Sequence, residues 1–353
     1  MQRALELACL GRYTTDPNPS VGCVIVKEGR IVGEGWHQYT GQDHAEVIAL
    51  KAAGDKANNA TAYVTLEPCS HFGRTPPCVD SLLEHHLQRV VVASTDPNSE
   101  VSSKGIKLLQ QKGIIVEIGL MEQKARALNQ GFFQRMQTGR PRVTLKIGAS
   151  LDGRTAMASG ESQWISSEVA RQDVHRLRAS SSAIVTGIGT VLADNPTMTA
   201  RITEPVVQPL RVVVDSNRRT PADASIVGED GKLLIACIDD PDASGEYYSA
   251  QQVDVVAIAS DSGKVDLNGL LSELGRREIN EVLVEAGQTL SGSFLSKGLV
   301  DQFILYLAPK ILGNRAKGMF DLPQLSQLQD AFRLEITDIQ PIGDDIRVTA
   351  NVV

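Results

Sequence analysis

Four residues among the first eighty could act on a substrate together: His44 and Glu46 in the tripeptide H-A-E, Cys69 after Pro68, and Cys78. One imidazole and two thiolates suit zinc at a catalytic site, where three protein ligands leave a fourth position for water. A zinc ion held there would bring the pKa of a bound water from about 15.7 towards ~7, making hydroxide available at neutral pH. Expelling an amine also requires a group that takes the proton from water and passes it to the leaving nitrogen. Glu46 stands beside a metal ligand without being one, which fits that task.

Other uses of EPCSHFGRTPPC (67–78) are a disulfide, a buried apolar pair of thiols, or a structural zinc closed by a fourth ligand such as His71. Five cysteines in 353 residues make no disulfide framework, and the odd count fits a reducing compartment. Structural zinc sites are usually closed by four protein ligands, and no further cysteine is near. An H-x-E followed by P-C-x-x-C marks zinc nucleobase deaminases. Here eight residues separate the cysteines, so the match is partial.

The elements that must carry these residues alternate between strand and helix. Residues 1–11 have helical spacing, and VGCVIV and IVGEGW form a hairpin pattern around KEGR. HAEVIALKAAG predicts a helix ending at Gly54, so His44 and Glu46 project from its first turn. TAYVTLEP is a strand running into the cysteine stretch, and CVDSLLEHHL is a helix opening at Cys78, where the helix dipole favours thiolate. RVVVAS, SKGIKLLQQKG and IIVEIG continue as strand, helix and strand. The pattern restarts at TGRPRVTLKIGAS, which places a boundary near Arg140 and gives domains of 1–140 and 141–353. Such alternation predicts α/β layers with helices on both faces.

The formal net charge is −7 with no basic block, which disfavours extended nucleic acid, because phosphate neutralisation dominates such binding. No apolar run is long enough to cross a bilayer. The N-terminus lacks the features of a signal peptide, so a cytoplasmic protein is expected. The apolar DQFILYLAPKIL, expected to begin an antiparallel C-terminal part, suggests a homo-oligomer, although a central strand would also account for it.

The second half has glycine turns after apparent strands: Gly187 and Gly189 in TGIGTVLADNP, and Gly287 and Gly292 in EAGQTLSG. Turns leading into helices suit phosphate groups lying over helix N-termini. VVVDSNRR ends a strand at Ser216 with Arg218 and Arg219 beyond, which would suit a 2′-phosphate.

TTDPNPSVGCVIV, GEGWHQYTGQDHAEVIAL, VTLEPCSHFGRTPPC, LKIGASLDGRTAMASGESQWIS and LVEAGQTLSGSFL together resemble the bifunctional riboflavin-biosynthesis deaminase–reductase family over essentially the whole chain. In that family the longer cysteine loop is the normal form. The resemblance implies a cytidine-deaminase-like α/β/α domain followed by a dihydrofolate-reductase-like α/β domain. The implied reactions are zinc-dependent deamination of a phosphorylated pyrimidine, then NADPH-dependent reduction of its ribosyl group by hydride delivery to C1′.

By position, the resemblance implies zinc on His44, Cys69 and Cys78, with Glu46 as proton shuttle. Asn18 would hydrogen-bond the pyrimidine, with His37, His71 and Arg74 as candidates for the ribose phosphate. Gly148, Trp164, Thr190, Asp194, Ser216 and the stretch Gly287, Gln288, Thr289, Leu290, Ser291, Gly292 and Ser293 match the cofactor side. Ser162, Arg178, Met198, Arg201 and Glu285 match the substrate side. Arg178 and Arg201 suit phosphate because guanidinium binds it in a bidentate fashion. Arg178 could also belong to a solvated helix face, and Met198 to the core. Lys146, Asp152 and Glu285 are the polar candidates near the reacting carbon.

Overall fold

The computed structural model describes residues 1–70, 72, 76–98, 102–228, 231–238, 253–259 and 263–353. The chain divides into two units, Met1–Gly139 and Arg140–Val353.

In the first unit β1 (Gly22–Lys27) and β2 (Arg30–Trp36) make the hairpin, followed by β3 (Thr61–Val64), β4 (Arg89–Val92) and β5 (Ile115–Ile118). Among the described residues these form one five-stranded sheet, β2–β1–β3–β4–β5, antiparallel up to β3 and parallel beyond. Alternation along β1 sends Cys23 and Ile25 into a core shared with α2 (Ala45–Ala53), α3 (Cys78–Glu84) and α4 (Lys104–Gln111). Val24 faces the other way, onto Ala4 and Leu7 of α1 (Gln2–Cys9). Two helices not foreseen in the sequence, α5 (Glu122–Leu128) and α6 (Gln130–Thr138), pack through Ala125 and through Phe132 and Phe133. Each is short and has only one to three buried residues, too few for a readable helical stripe.

The helix bearing the H-A-E motif lies directly on β2. A Cβ at Gly33 would come within 2.2 Å of the Ala49 carbonyl oxygen, and one at Gly35 within 2.5 Å of the Ala45 carbonyl oxygen. These two glycines set how closely α2 approaches the sheet, and so where its first turn sits.

The second unit contains β6 (Arg142–Ser150), β7 (Arg154–Ala156), α7 (Glu168–Ala179), β8 (Ala183–Gly187), α8 (Ile188–Asp194), β9 (Leu210–Val214), α9 (Ser225–Gly228) and β10 (Leu233–Cys237). Then come β11 (Val253–Ala257), α10 (Leu267–Arg276), β12 (Glu281–Val284), α11 (Gln288–Ser296), β13 (Gln302–Ala308), β14 (Lys317–Gly318), β15 (Leu334–Ile342) and β16 (Asp345–Val352). Among the described residues nine strands form one sheet in the order β11–β10–β9–β8–β12–β6–β13–β16–β15, and β7 pairs with β14 separately. Pairing is parallel from β11 to β13 and antiparallel from β13 to β15. The parallel strands are apolar on both faces, with α10 and α11 over one and α7, α8 and α9 over the other.

DQFILYLAPKIL is only half antiparallel. β13 lies inside the sheet, parallel to β6 on one side and antiparallel to β16 on the other. Its apolar residues Phe303, Ile304 and Tyr306 are buried there, so a central position accounts for the hydrophobicity and this stretch gives no argument for an oligomer. Asp173 ties α7 to these strands: one of its carboxylate oxygens accepts from the Tyr306 hydroxyl at 2.6 Å and from the Arg347 guanidinium at 2.8 Å.

Candidate active sites

His44 occupies the cap position before α2 in extended conformation, Glu46 lies in the first turn, and Cys78 is the first residue of α3. Cys69 arrives from the arm beyond β3. The three donor atoms converge: His44 Nδ1 is 2.9 Å from Cys78 Sγ and 3.6 Å from Cys69 Sγ, and the two sulfurs are 3.4 Å apart. Tetrahedral zinc with bonds of about 2.0–2.3 Å needs ligand separations of this order, so the donor set fits the ion in both chemistry and spacing. The Cys78 backbone N–H donates to Cys69 Sγ at 3.3 Å. Hydrogen bonds from Cys78 and His44 drive the Cys69 thiol towards thiolate.

Glu46 is 3% exposed, and burial raises its carboxyl to about 7, with the Cys78 thiol as a hydrogen-bond partner. A carboxyl that can be either protonated or ionised at neutral pH suits a group that must take up and release a proton.

His37 was expected at the ribose phosphate, but both of its ring nitrogens are engaged within the protein. Nε2 lies 3.1 Å from Asn18 Nδ2 and Nδ1 lies 3.2 Å from the Asp43 carbonyl oxygen. The ring is 2% exposed and meets His44 edge to face. His71 and Arg74 lie outside the described residues.

In the second unit a cavity of about 1240 Å³ opens at the carboxyl ends of β6, β8, β9 and β12. That is the end at which α/β sheets bind ligands. Its volume exceeds the range of about 300–1,000 Å³ usual for one small ligand, leaving room for two. Gly148, Trp164, Thr190, Asp194, Ser216, Gly287, Gln288, Thr289, Leu290 and Ser293 line it, as do Ser162, Arg178, Met198, Arg201 and Glu285. Both glycine turns lead straight into helices, α8 after Gly187 and α11 after Gly287. Two residues of the 287–293 stretch do not reach the cavity. Ser291 is buried and donates to the Ala286 carbonyl, while a Cβ at Gly292 would meet the Asp321 carbonyl oxygen at 2.2 Å.

A buried acid–base cluster forms the cavity wall. Glu285 accepts from Arg178 through both carboxylate oxygens, at 2.6 and 3.0 Å, and from Lys146 at 2.9 Å. Burial alone would raise the Glu285 carboxyl, but the Arg178 and Lys146 charges outweigh it and hold it well below the usual range. Arg178 also donates to the Thr199 carbonyl, so its fork is directed mainly into the protein. Arg201 donates to the Thr197 and Thr199 hydroxyls. Met198 has a positive φ of 55° and packs in the core while bordering the cavity.

Three features escaped the sequence analysis. Arg171, Val174 and His175 join the expected Arg178 in lining the cavity from one face of α7, the i, i+3, i+4, i+7 spacing of a helical stripe. His175 is brought down to about 4 by burial and by the Arg178 and Arg201 charges. Arg171 stacks on the Trp164 ring at 4.6 Å and donates to the Ser166 carbonyl, holding the segment that carries Trp164. Asp152, considered for the reacting carbon, instead accepts from Ser150 and from the Leu312 and Gly313 amides, and it is not among the described cavity residues.

Residues 1–94 match the cytidine and deoxycytidylate deaminase zinc-binding region, and residues 141–348 match the RibD C-terminal domain. The riboflavin biosynthesis protein RibD of Escherichia coli (strain K12) is 50% identical over 358 residues, spanning 98% of this chain and 96% of that protein. A solved structure of Acinetobacter baumannii RibD (form 2) is similar with a TM-score of 0.93 at 44% identity, covering 100% of this chain and 97% of that one. The crystal structure of a diaminohydroxyphosphoribosylaminopyrimidine deaminase/5-amino-6-(5-phosphoribosylamino)uracil reductase from Thermotoga maritima has a TM-score of 0.89 at 33% identity, covering 100% and 97%.

Proposed function

Because this chain belongs to the RibD family of bifunctional riboflavin-biosynthesis enzymes, we propose that its two sites divide two successive reactions on one phosphorylated pyrimidine. The protein is a deaminase and reductase with a cytidine-deaminase-like first domain and a dihydrofolate-reductase-like second domain. The first site deaminates 2,5-diamino-6-ribosylamino-4(3H)-pyrimidinone 5′-phosphate. The second reduces the ribosyl group of the product, 5-amino-6-(5-phosphoribosylamino)uracil, to ribityl. The observation that carries this reading is the convergence of His44, Cys69 and Cys78 donors beside the buried Glu46.

Zinc, when bound, supplies the Lewis acidity that makes water nucleophilic at neutral pH. His44, Cys69 and Cys78 hold it. Glu46 takes the proton from the attacking water and delivers it to the departing amine nitrogen. Asn18, its amide nitrogen directed to His37, keeps its oxygen for a pyrimidine N–H. The ribose phosphate is assigned to His71 and Arg74 of the cysteine loop, on the family resemblance alone.

In the second site we assign NADPH to Gly148, Trp164, Thr190, Asp194, Ser216, Gly287 to Leu290 and Ser293. Arg219 and Lys264 line the cavity near Ser216, whose hydroxyl accepts from the Val265 amide, and they suit the 2′-phosphate that distinguishes NADPH from NADH. Ser162, Arg178, Met198, Arg201 and Glu285 form the substrate side. Hydride addition at C1′ breaks the bond to the ring oxygen, which takes up a proton, and the main demand on the protein is to hold nicotinamide and sugar together.

The acidic net charge supports a small-molecule substrate over nucleic acid, and no helix among the described residues is long and apolar enough to cross a membrane. A cytoplasmic homo-oligomer completes the reading. Leu334, Ile336 and Ile339 on the edge strand β15 are exposed and offer a surface for a second copy.

The test is to supply the diaminopyrimidine phosphate with NADPH and follow ammonia release and nicotinamide absorbance in one sample. Ammonia followed by NADPH oxidation supports both assignments. Ammonia without oxidation removes the reductase assignment, and oxidation without ammonia removes the deaminase one.

A further inference from the structure

Beyond Val64 and Val92, β3 and β4 continue side by side past the edge of the sheet, because Ala93 N–H donates to the Val64 carbonyl and Glu67 N–H to the Ser94 carbonyl. Glu67 is 4% exposed and stands two residues before the zinc ligand Cys69. Its carboxylate turns towards the neighbouring segment. Oε2 accepts from the Asp96 and Ser103 amides at 3.2 and 3.0 Å, and Oε1 accepts from the Ile106 amide at 3.4 Å.

The Asp96 amide follows β4, and the Ser103 and Ile106 amides belong to the cap and first turn of α4. Ser103 precedes α4 in left-handed conformation and makes no side-chain cap, so Glu67 does for this helix, from another strand, what an N-cap side chain ordinarily does. The fit is close. A Cβ at Gly105 would lie 2.1 Å from the Pro68 carbonyl oxygen, so the first turn of α4 rests on the backbone leading into Cys69. On its other side Cys69 is gripped by α3, through the Cys78 amide on its sulfur and the Val79 amide on its carbonyl.

We infer that Glu67 is a positioning residue of the deaminase site: one buried carboxylate fixes the Cys69 arm against the Asp96 amide and the start of α4, and so sets where Cys69 sits in the zinc pocket. This inference rests on the deaminase reading above. An apolar side chain could fill the same space but could not hold three backbone amides of a neighbouring segment in register with a metal ligand. Substrates of α/β sheets sit at the carboxyl ends of the strands, and both segments leave the sheet at that end.

The test uses the full-length protein and the variant Glu67→Gln, which keeps the volume but offers one accepting oxygen in place of two. The expected result is a changed visible spectrum of the cobalt(II)-substituted site, zinc affinity weaker by roughly 10-fold, and deaminase kcat lower by roughly 10-fold at saturating zinc. Reductase kcat is unchanged. A variant with the wild-type cobalt spectrum, zinc affinity and kcat, and only a lower melting temperature, overturns the inference. If Glu67→Gln does not fold in its first unit, Glu67→Asp, which keeps the charge and shortens the reach, is judged by the same measurements. A wild-type protein that binds cobalt but releases no ammonia refutes the functional reading alone, because spectrum and affinity still decide the role of Glu67.

Discussion

The amide nitrogen of Asn18 lies 3.1 Å from Nε2 of His37, and the other nitrogen of that ring faces the Asp43 carbonyl oxygen. With Nδ1–H donating to a carbonyl, Nε2 is the acceptor and Asn18 must present its N–H to it. The imidazole therefore sets which end of the amide faces the substrate. His37→Phe keeps a ring against His44 but removes the acceptor. The expected outcome is a deaminase KM higher by about 10-fold, of the order of one lost hydrogen bond, with zinc content and reductase kinetics unchanged. Ammonia-release kinetics check it, and an unaltered KM would detach His37 from substrate orientation.

Glu46→Gln retains the shape of a buried side chain beside His44, Cys69 and Cys78 and removes its ability to carry a proton. Ammonia release should fall by at least about 10²-fold, the scale of general acid–base catalysis, while bound zinc and NADPH oxidation on supplied reductase substrate persist. Metal analysis together with the two separate assays tests this. Normal deamination would take the proton-shuttle role away from Glu46.

Glu285 is the counter-charge to both Arg178 and Lys146. Glu285→Gln leaves two cations facing a neutral amide, and breaking a buried pair in this way costs about 3 kcal/mol. Reductase activity should be lost and the unfolding transition of the second unit lowered, with deamination intact. Calorimetry with both assays distinguishes this from a general failure to fold.

His175 supplies a pH dependence. Its pKa is about 4 in the folded protein, against about 6.5 in the unfolded chain. Between those values the unfolded state binds the extra proton and the folded state does not, so stability falls as pH drops from about 6.5 towards 4 and is regained as pH rises. His175→Gln should flatten this part of the profile. Melting curves of the two proteins at pH 7.5 and 5.0 (test conditions, roughly spanning the upper part of the window) give the comparison, and equal slopes would contradict it.

Arg219 and Lys264 are assigned to the cofactor 2′-phosphate. Replacing either with Ala should raise KM for NADPH by about 10-fold, as loss of one charge-assisted contact does, and leave KM for NADH unchanged. The ratio of kcat/KM for the two cofactors is the measurement. A constant ratio would place the phosphate elsewhere.

The proposed zinc site was the most legible part because each of its residues sits in a short motif of its own. H-A-E puts His44 and Glu46 in one helical turn, and P-C and the helix start at Cys78 mark the thiols, although 34 positions separate His44 from Cys78. The second site was harder to see because its polar centre spans long stretches of chain, with Glu285 139 positions from Lys146 and 107 from Arg178. The stripe on α7 was present in the sequence, but a stripe of Arg and His looks like a solvated face until the sheet beneath it is known. Asp152 misled for the opposite reason: an acid beside a glycine turn can serve the turn itself, as it does with the Leu312 and Gly313 amides. The strand β13 shows the same limit, since apolarity alone does not tell an interface from the middle of a sheet.

The bond from Arg347 to Asp173 joins positions 174 residues apart, and it anchors the helix whose other residues line the reductase cavity. β16, which carries Arg347, is also wedged between β13 and β15. During synthesis the cavity wall therefore cannot be secured until the ribosome has delivered β16, long after α7 has emerged. The deaminase half precedes all of this in the chain, and its first pairing is a hairpin of adjacent strands. Contacts that close over such distances form slowly, so the nascent protein should acquire its first activity well before its second.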